Sequence, residues 1–121
     1  MTDDGCELCT PDMVLIEDAL AYVRYDNNSL SKGHVLAVPR RHVASFFDMS
    51  ADEKAAILSL LDRAKGQIER EFAPDGYNIG VNIGRAAGQS RMHVHVHLIP
   101  RYDGDVADPR GGIRCVLAKR A

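Results

Sequence analysis

No apolar run in the chain approaches the ~20 residues needed to span a bilayer. The opening stretch Met1-Thr2-Asp3-Asp4-Gly5 is acidic and has no apolar core, so it does not read as a secretory signal. Three cysteines, an odd number beside no export signal, exclude a disulfide framework. Internal repeats and low-complexity tracts are absent. A strong charge of one sign is absent too, and a net charge of −2 argues against a dedicated nucleic-acid binder. At 121 residues the chain is too short for two domains of usual size. What is left is one domain, 45% apolar and 26% charged, expected in the cytoplasm and away from membranes.

The charge is unevenly placed. Residues 1–84 hold 8 Lys/Arg against 14 Asp/Glu, whereas residues 85–121 hold 7 against 3. A basic C-terminal third on an acidic protein indicates a local anion site rather than a polyanion-binding surface.

Apolar stretches at Met13–Ile16 and Ala19–Val23 predict a hairpin turning at Glu17-Asp18. Asp26-Asn27-Asn28-Ser29 is loop chemistry, and His34–Val38 predicts a strand stopped by Pro39. Ser50-Ala-Asp-Glu53 reads as a capping box opening a helix to Phe72. Ile57, Leu61, Ala64, Ile68 and Phe72 recur at helical spacing, and Leu58 and Leu60 widen the apolar face. Tyr77–Ile83 predicts a strand, Gly84–Gly88 a turn, and Met92–Ile99 the clearest strand, closed by Pro100. A last strand is predicted at Ile113–Leu117, with Cys115 a small core residue. Strands on both sides of one long helix predict an α+β fold with a largely antiparallel sheet.

Met92-His93-Val94-His95-Val96-His97-Leu98-Ile99 alternates throughout. In a strand this sends Met92, Val94, Val96 and Leu98 to the core and the three histidines to the opposite face, roughly 7 Å apart. Three of the five histidines at period two are unlike the incidental polar face of a surface strand. Two chemistries fit: imidazoles gathered on a metal, or a neutral imidazole nucleophile with flanking helpers. Gly88-Gln89-Ser90 just before the strand offers amide, hydroxyl and backbone donors suited to phosphate, and Arg85, Arg91 and Arg101 add positive charge. That neighbourhood favours phosphate chemistry.

Cys6-x-x-Cys9 has the spacing of half a tetrahedral zinc site. A redox dithiol and two inert thiols are the alternatives, and Thr10-Pro11-Asp12 does not look like the helix start that a redox pair precedes.

The stretch Asn78–Arg101, with Ala87-Gly88-Gln89-Ser90 leading into the triad, resembles the signature of the histidine-triad (HIT) superfamily of nucleotide hydrolases and transferases. Lys32-Gly33-His34 through His42 resembles a second family segment. The resemblance covers most of residues 6–104 of a single domain spanning 1–121, leaving a C-terminal extension at 105–121. It implies a small α+β domain, usually a homodimer. It further implies that His95 attacks the α-phosphate of a nucleotide, giving a nucleotidyl-histidine that water resolves. By the same resemblance His97 lies by the phosphates and leaving group, and His34 and His93 support the site. Gln89 and Ser90 then contact the phosphate and leaving group, and Asn82 and Asp26 the nucleotide. His, rather than Gln, at position 97 leans toward hydrolysis, of dinucleoside polyphosphates or nucleoside phosphoramidates. The Asp108–Arg114 tail resembles a diadenosine tetraphosphate hydrolase-like bacterial subgroup, with Arg110 and Arg114 either meeting polyphosphate or closing a turn.

Zinc-containing relatives supply the missing ligands for the cysteine pair. The resemblance implies a structural zinc on Cys6, Cys9, His42 and His93. Two other readings remain at this stage: a nucleotide-binding regulatory module with little turnover, and a metalloenzyme that uses all three triad histidines as ligands.

Overall fold

Asp18 makes the first turn: its Oδ1 accepts from the amides of Leu20 and Ala21, both at 2.9 Å. In this computed structural model, which describes residues 5–117, that turn folds β1 (Val14–Glu17) onto β2 (Ala21–Tyr25). The turn therefore takes Ala19 and Leu20, and β2 starts two residues later than the apolar pattern predicts. The acidic start Met1–Asp4 and residues 118–121, with Lys119 and Arg120 of the basic third, lie outside the described residues.

β3 (Val35–Pro39), β4 (Gly76–Val81) and β5 (Val96–Arg101) complete a five-stranded sheet in the order β1-β2-β3-β5-β4. Every neighbouring pair is antiparallel. Pro39 is the last residue of β3, opposite Ala21, where the missing N–H disturbs no further ladder.

The single long helix, α1 (Ala51–Phe72), begins with both halves of the capping box: Glu53 N donates to Ser50 Oγ at 3.0 Å, and Ser50 N to Glu53 Oε1 at 2.8 Å. Ile57, Leu60, Leu61, Ala64 and Ile68 are buried against Ile16, Val23, Val35 and Ala37 of the sheet. Each such side chain removed from water contributes about 1.5–3 kcal/mol. Leu58, expected to widen the apolar face, is instead 65% exposed. The helix packs on β1, β2 and β3.

The N-terminal segment covers part of the opposite face of the sheet. A 3-10 turn over Glu7–Cys9 places Leu8 on Tyr22, Leu36 and Val38, and the Tyr22 hydroxyl donates to the Leu8 carbonyl. Among the described residues no helix is long and apolar enough to cross a membrane. The architecture is the α+β sheet-and-helix layout that the residues and the resemblance both pointed to.

Three expectations need correction. The strand expected from Met92 begins only at Val96, because Val94 N donates to Val43 O at 2.8 Å in the loop after β3 instead of joining a ladder. Met92 is consequently 43% exposed and not a core residue. The strand expected at Ile113–Leu117 is a 3-10 turn over Gly112–Val116, and Cys115 is exposed, with its thiol toward the Arg110 carbonyl at 3.7 Å. A short apolar run with β-branched residues does not reveal whether a neighbouring strand is available to pair with it. β4 ends at Val81, not Ile83, and the glycine turn beyond it forms a 3-10 turn over Arg85–Ala87.

Candidate active site and metal cluster

The detour at Val94 separates the three triad histidines. His93 is fully buried and points inward: its Nε2 lies 2.7 Å from the Pro39 carbonyl, to which it must donate. That hydrogen bond leaves Nδ1 with its lone pair, 3.4 Å from Cys6 Sγ and 3.5 Å from Cys9 Sγ. His42 Nδ1 is 3.1 Å from Cys9 Sγ. The four donor atoms all lie within 4.8 Å of one another. A tetrahedral zinc with ordinary thiolate and imidazole bond lengths has sulfur–nitrogen edges of ~3.6 Å, so this donor set fits that ion. Burial pushes the Cys6 thiol up and the His93 imidazole down. The buried Cys6 thiolate would need a cation nearby, whereas burial keeps the His93 imidazole neutral with its Nδ1 lone pair available. His93 therefore does not share an open face with the other two histidines, as the alternation predicted.

His95 and His97 line an open cavity of about 270 Å³. His95 Nδ1 is 2.9 Å from the His93 carbonyl, which can only accept, so Nδ1 carries the proton. In the neutral ring Nε2 then holds the lone pair, and no hydrogen bond from the described residues engages it.

His97 is set by a second chain of contacts. The Leu30 amide donates to His34 Nδ1 at 3.1 Å, which places the His34 proton on Nε2. His34 Nε2 lies 3.0 Å from His97 Nδ1 and 3.3 Å from Asp26 Oδ2. His97 Nδ1 thus accepts, and its own proton sits on Nε2. Burial, helped by His95 and His34, pushes His97 down to about 4, while the Asp26 carboxylate pulls the other way. Burial likewise pushes His34 down against Asp26. Asp26, His34 and His97 also converge closely. The Leu30 bond, however, makes His34 Nε2 a donor, which is not a metal ligand. The triad histidines do not gather on one point.

Asp26, Asn82 and Ser90 all line this cavity. Asp26 is oriented by the Asn28 amide, which donates to its Oδ1 at 2.8 Å. Gln89 is placed differently. Its Oε1 accepts from Gly84 N at 2.9 Å, and its Nε2 donates to the carbonyls of Ala44 at 2.7 Å and Arg91 at 2.9 Å. The buried amide has no donor left for a phosphate and braces the loop behind Ser90 instead. Arg110 is committed to Asp108 at 2.9 Å in its own turn, and Arg101 to Asp105 at 2.8 Å and Asn78 at 2.7 Å.

Several contributors were not singled out from sequence. Leu8, Leu30 and Leu36 give the cavity an apolar wall. Arg24, which is 2% exposed, lies inside β2 on the site side of the sheet, beneath the Cys6–Cys9 turn. A charged residue within an otherwise apolar five-residue strand is the signal that would have found it.

A family model described as "HIT domain" matches residues 8–104. An uncharacterized HIT-like protein of Methanocaldococcus jannaschii is 41% identical over 97 residues, covering 78% of this chain and 73% of that protein. A Mycobacterium tuberculosis protein named AP-4-A phosphorylase is 33% identical over 77% of this chain, which spans only 48% of that protein. The crystal structure of a Zn-bound histidine triad family protein from Mycobacterium smegmatis superposes with a TM-score of 0.75 at 28% identity, covering 87% of this chain and 81% of that one.

Proposed function

Because the chain belongs to the HIT domain family, we propose that its triad cavity is the active site of a nucleotidyl hydrolase working through a covalent intermediate on His95. The observation that carries this reading is the His95 tautomer. Its Nδ1–H is held by a backbone carbonyl, and its Nε2 lone pair opens into the cavity beside Ser90, Asn82 and His97. A neutral imidazole held this way is a nucleophile that needs no prior deprotonation.

In the proposed reaction His95 Nε2 attacks the α-phosphorus as the bond to the leaving group breaks on the opposite side. Neutral His97 keeps its Nε2 proton and donates a hydrogen bond to the departing atom; a phosphate chain leaves as the anion, and an amine leaves with a proton taken from solvent. The His97 Nδ1 meanwhile rests on the His34 Nε2–H. Water then attacks the phosphorus and releases a proton to solvent, the P–N bond breaks with its electron pair returning to His95 Nε2, and a nucleoside monophosphate leaves. Ser90 and Asn82 supply donors for the phosphate, Asp26 an acceptor for the sugar, and Leu8, Leu30 and Leu36 an apolar wall for the base. The AP-4-A phosphorylase name of one relative supports a dinucleoside polyphosphate among the substrates.

Zinc belongs to this reading as a structural ion. Cys6, Cys9, His42 and His93 would hold it, and when bound it ties the N-terminal turn to the strand that carries His95. The proposal also includes a cytoplasmic homodimer. The outer edge of β4, at the border of the sheet, and the exposed Ile79 upon it support such a pairing. Light scattering at micromolar concentration tests it, and a monomer mass throughout would remove it.

The test of function is turnover by wild type and His95→Ala of diadenosine tetraphosphate and of an adenosine phosphoramidate, followed by chromatography. AMP plus ATP from the tetraphosphate, lost in the variant, is the expected result. Wild-type-like turnover by His95→Ala would overturn the mechanism. AMP binding without turnover of either compound would make the domain a nucleotide-binding module instead.

A further inference from the structure

Arg91 lines the same cavity as His95 and His97, next to Ser90. Its guanidinium Nη1 is bound to Glu7 Oε1, a half-exposed carboxylate in the middle of the Cys6–Cys9 turn. The same Glu7 oxygen also serves Asn27 at 3.4 Å and faces the buried Arg24 at 4.0 Å. Arg24 is held by the Tyr25 carbonyl at 3.2 Å and by Asn27 Oδ1 at 2.9 Å, yet its Nη1 is buried without a hydrogen-bond partner. Two guanidiniums thus share one carboxylate at the rim of the cavity. An unsatisfied buried guanidinium nitrogen is a costly arrangement, and a second anion arriving nearby would relieve it.

We propose that Arg91 is the specificity residue for an anionic leaving group, receiving the phosphate chain beyond the scissile α-phosphate, and that Glu7 is the internal anion it exchanges. When a phosphate oxygen takes Arg91, Glu7 is released to close the 4.0 Å gap to Arg24 Nη1. The lost pair is half exposed to solvent, where such pairs are weak, while the gained one lies against a buried donor. The guanidinium fork also suits phosphate oxygens. This inference rests on the hydrolase reading above and adds to it the chemistry of the leaving group: a polyphosphate, as opposed to a neutral amine.

The experiment compares kcat/KM for diadenosine tetraphosphate with kcat/KM for an adenosine phosphoramidate of a neutral amine. Wild type, Arg91→Ala and Arg91→Lys are measured at two salt concentrations. The expected result is a fall of about 10–100-fold in the tetraphosphate-to-phosphoramidate ratio for Arg91→Ala, carried mainly by KM and partly restored by Arg91→Lys. Added salt should depress the ratio in wild type and leave it flat in Arg91→Ala. Wild-type turnover of both compounds with a ratio unchanged in Arg91→Ala would overturn the assignment and spare the hydrolase reading. A wild type inert toward both would overturn the two together. Because Glu7 can turn to Arg24 when Arg91 is removed, the variant is expected to fold, which circular dichroism and zinc content check.

Discussion

His34 Nε2 lies 3.0 Å from His97 Nδ1, and the direction of that contact is dictated by a backbone amide on the far side of the His34 ring. The two residues are 63 positions apart, on β3's entry and within β5. Replacing His34 with Ala removes the donor that holds His97 in its tautomer. The expected effect is a fall in kcat of about a hundredfold with KM changed much less, since on the proposed mechanism the hydrogen-bond donor to the leaving group is misplaced and not the substrate. Steady-state kinetics on the preferred substrate, with zinc content as the folding control, separate this from general damage. An equal rise in KM would mean that His34 serves binding.

Acid sensitivity follows from His97. Its ordinary value is 6.5, and in the fold it is pushed down to about 4, chiefly by burial. Between these values the unfolded chain binds the proton more readily. Stability is therefore complete above about pH 6.5 and is lost as pH falls toward 4. The His97 contribution is on the order of 3 kcal/mol over that range. Urea unfolding at pH 7, 6 and 5 should show a steeper loss for wild type than for His97→Gln. Parallel curves would show that His97 is not the group responsible.

The metal should follow Cys6, Cys9, His42 and His93 and not His95 or His97. Elemental analysis of the purified protein is expected to find one zinc per chain, lost in Cys6→Ser, Cys9→Ser and His42→Ala and retained in His97→Ala. Chelation should lower the melting temperature by at least about 5 °C, because the N-terminal turn loses its tie to the sheet. Loss of zinc from His97→Ala would instead place the metal at the triad.

Gly33 offers a test of how β3 meets the helix. Its φ is +87°, and a Cβ there would stand 3.0 Å from Phe72 Cδ2 and 3.2 Å from Ile68 Cγ2. Gly33→Ala should cost roughly 2 kcal/mol by urea unfolding, from backbone strain and the forced shift of Phe72 together. A variant as stable as wild type would show that the helix end yields freely.

The readable parts of this molecule are those governed by neighbours in the chain. Ser50 and Glu53 cap their helix because each reaches the other's backbone across one turn. Ile57, Leu61, Ala64 and Ile68 reach the core because helical spacing puts them on one face. Asp18 and Asp26 shape their own loops with bonds to amides two or three residues away. The triad, the glutamine-serine turn and the cysteine pair were visible as chemistry for the same reason: each is a short pattern of donors.

Long-range contacts decided the rest. Val43 and Pro39 turn residues 92–95 out of the ladder, so His93 enters the Cys6–Cys9–His42 cluster while His95 opens to the cavity. The Gln89 side chain meets the Ala44 carbonyl 45 residues away, which makes it a brace and not a phosphate donor. Glu7 reaches Arg91 across 84 positions. A strand pattern tells which side chains alternate, but alternation gives direction only while a neighbouring strand supplies the hydrogen bonds. Where the chain leaves the ladder, the orientation of an imidazole is chosen by whichever carbonyl the fold brings within reach. That choice puts the His93 ring beside the cysteine pair and the His95 ring in the cavity.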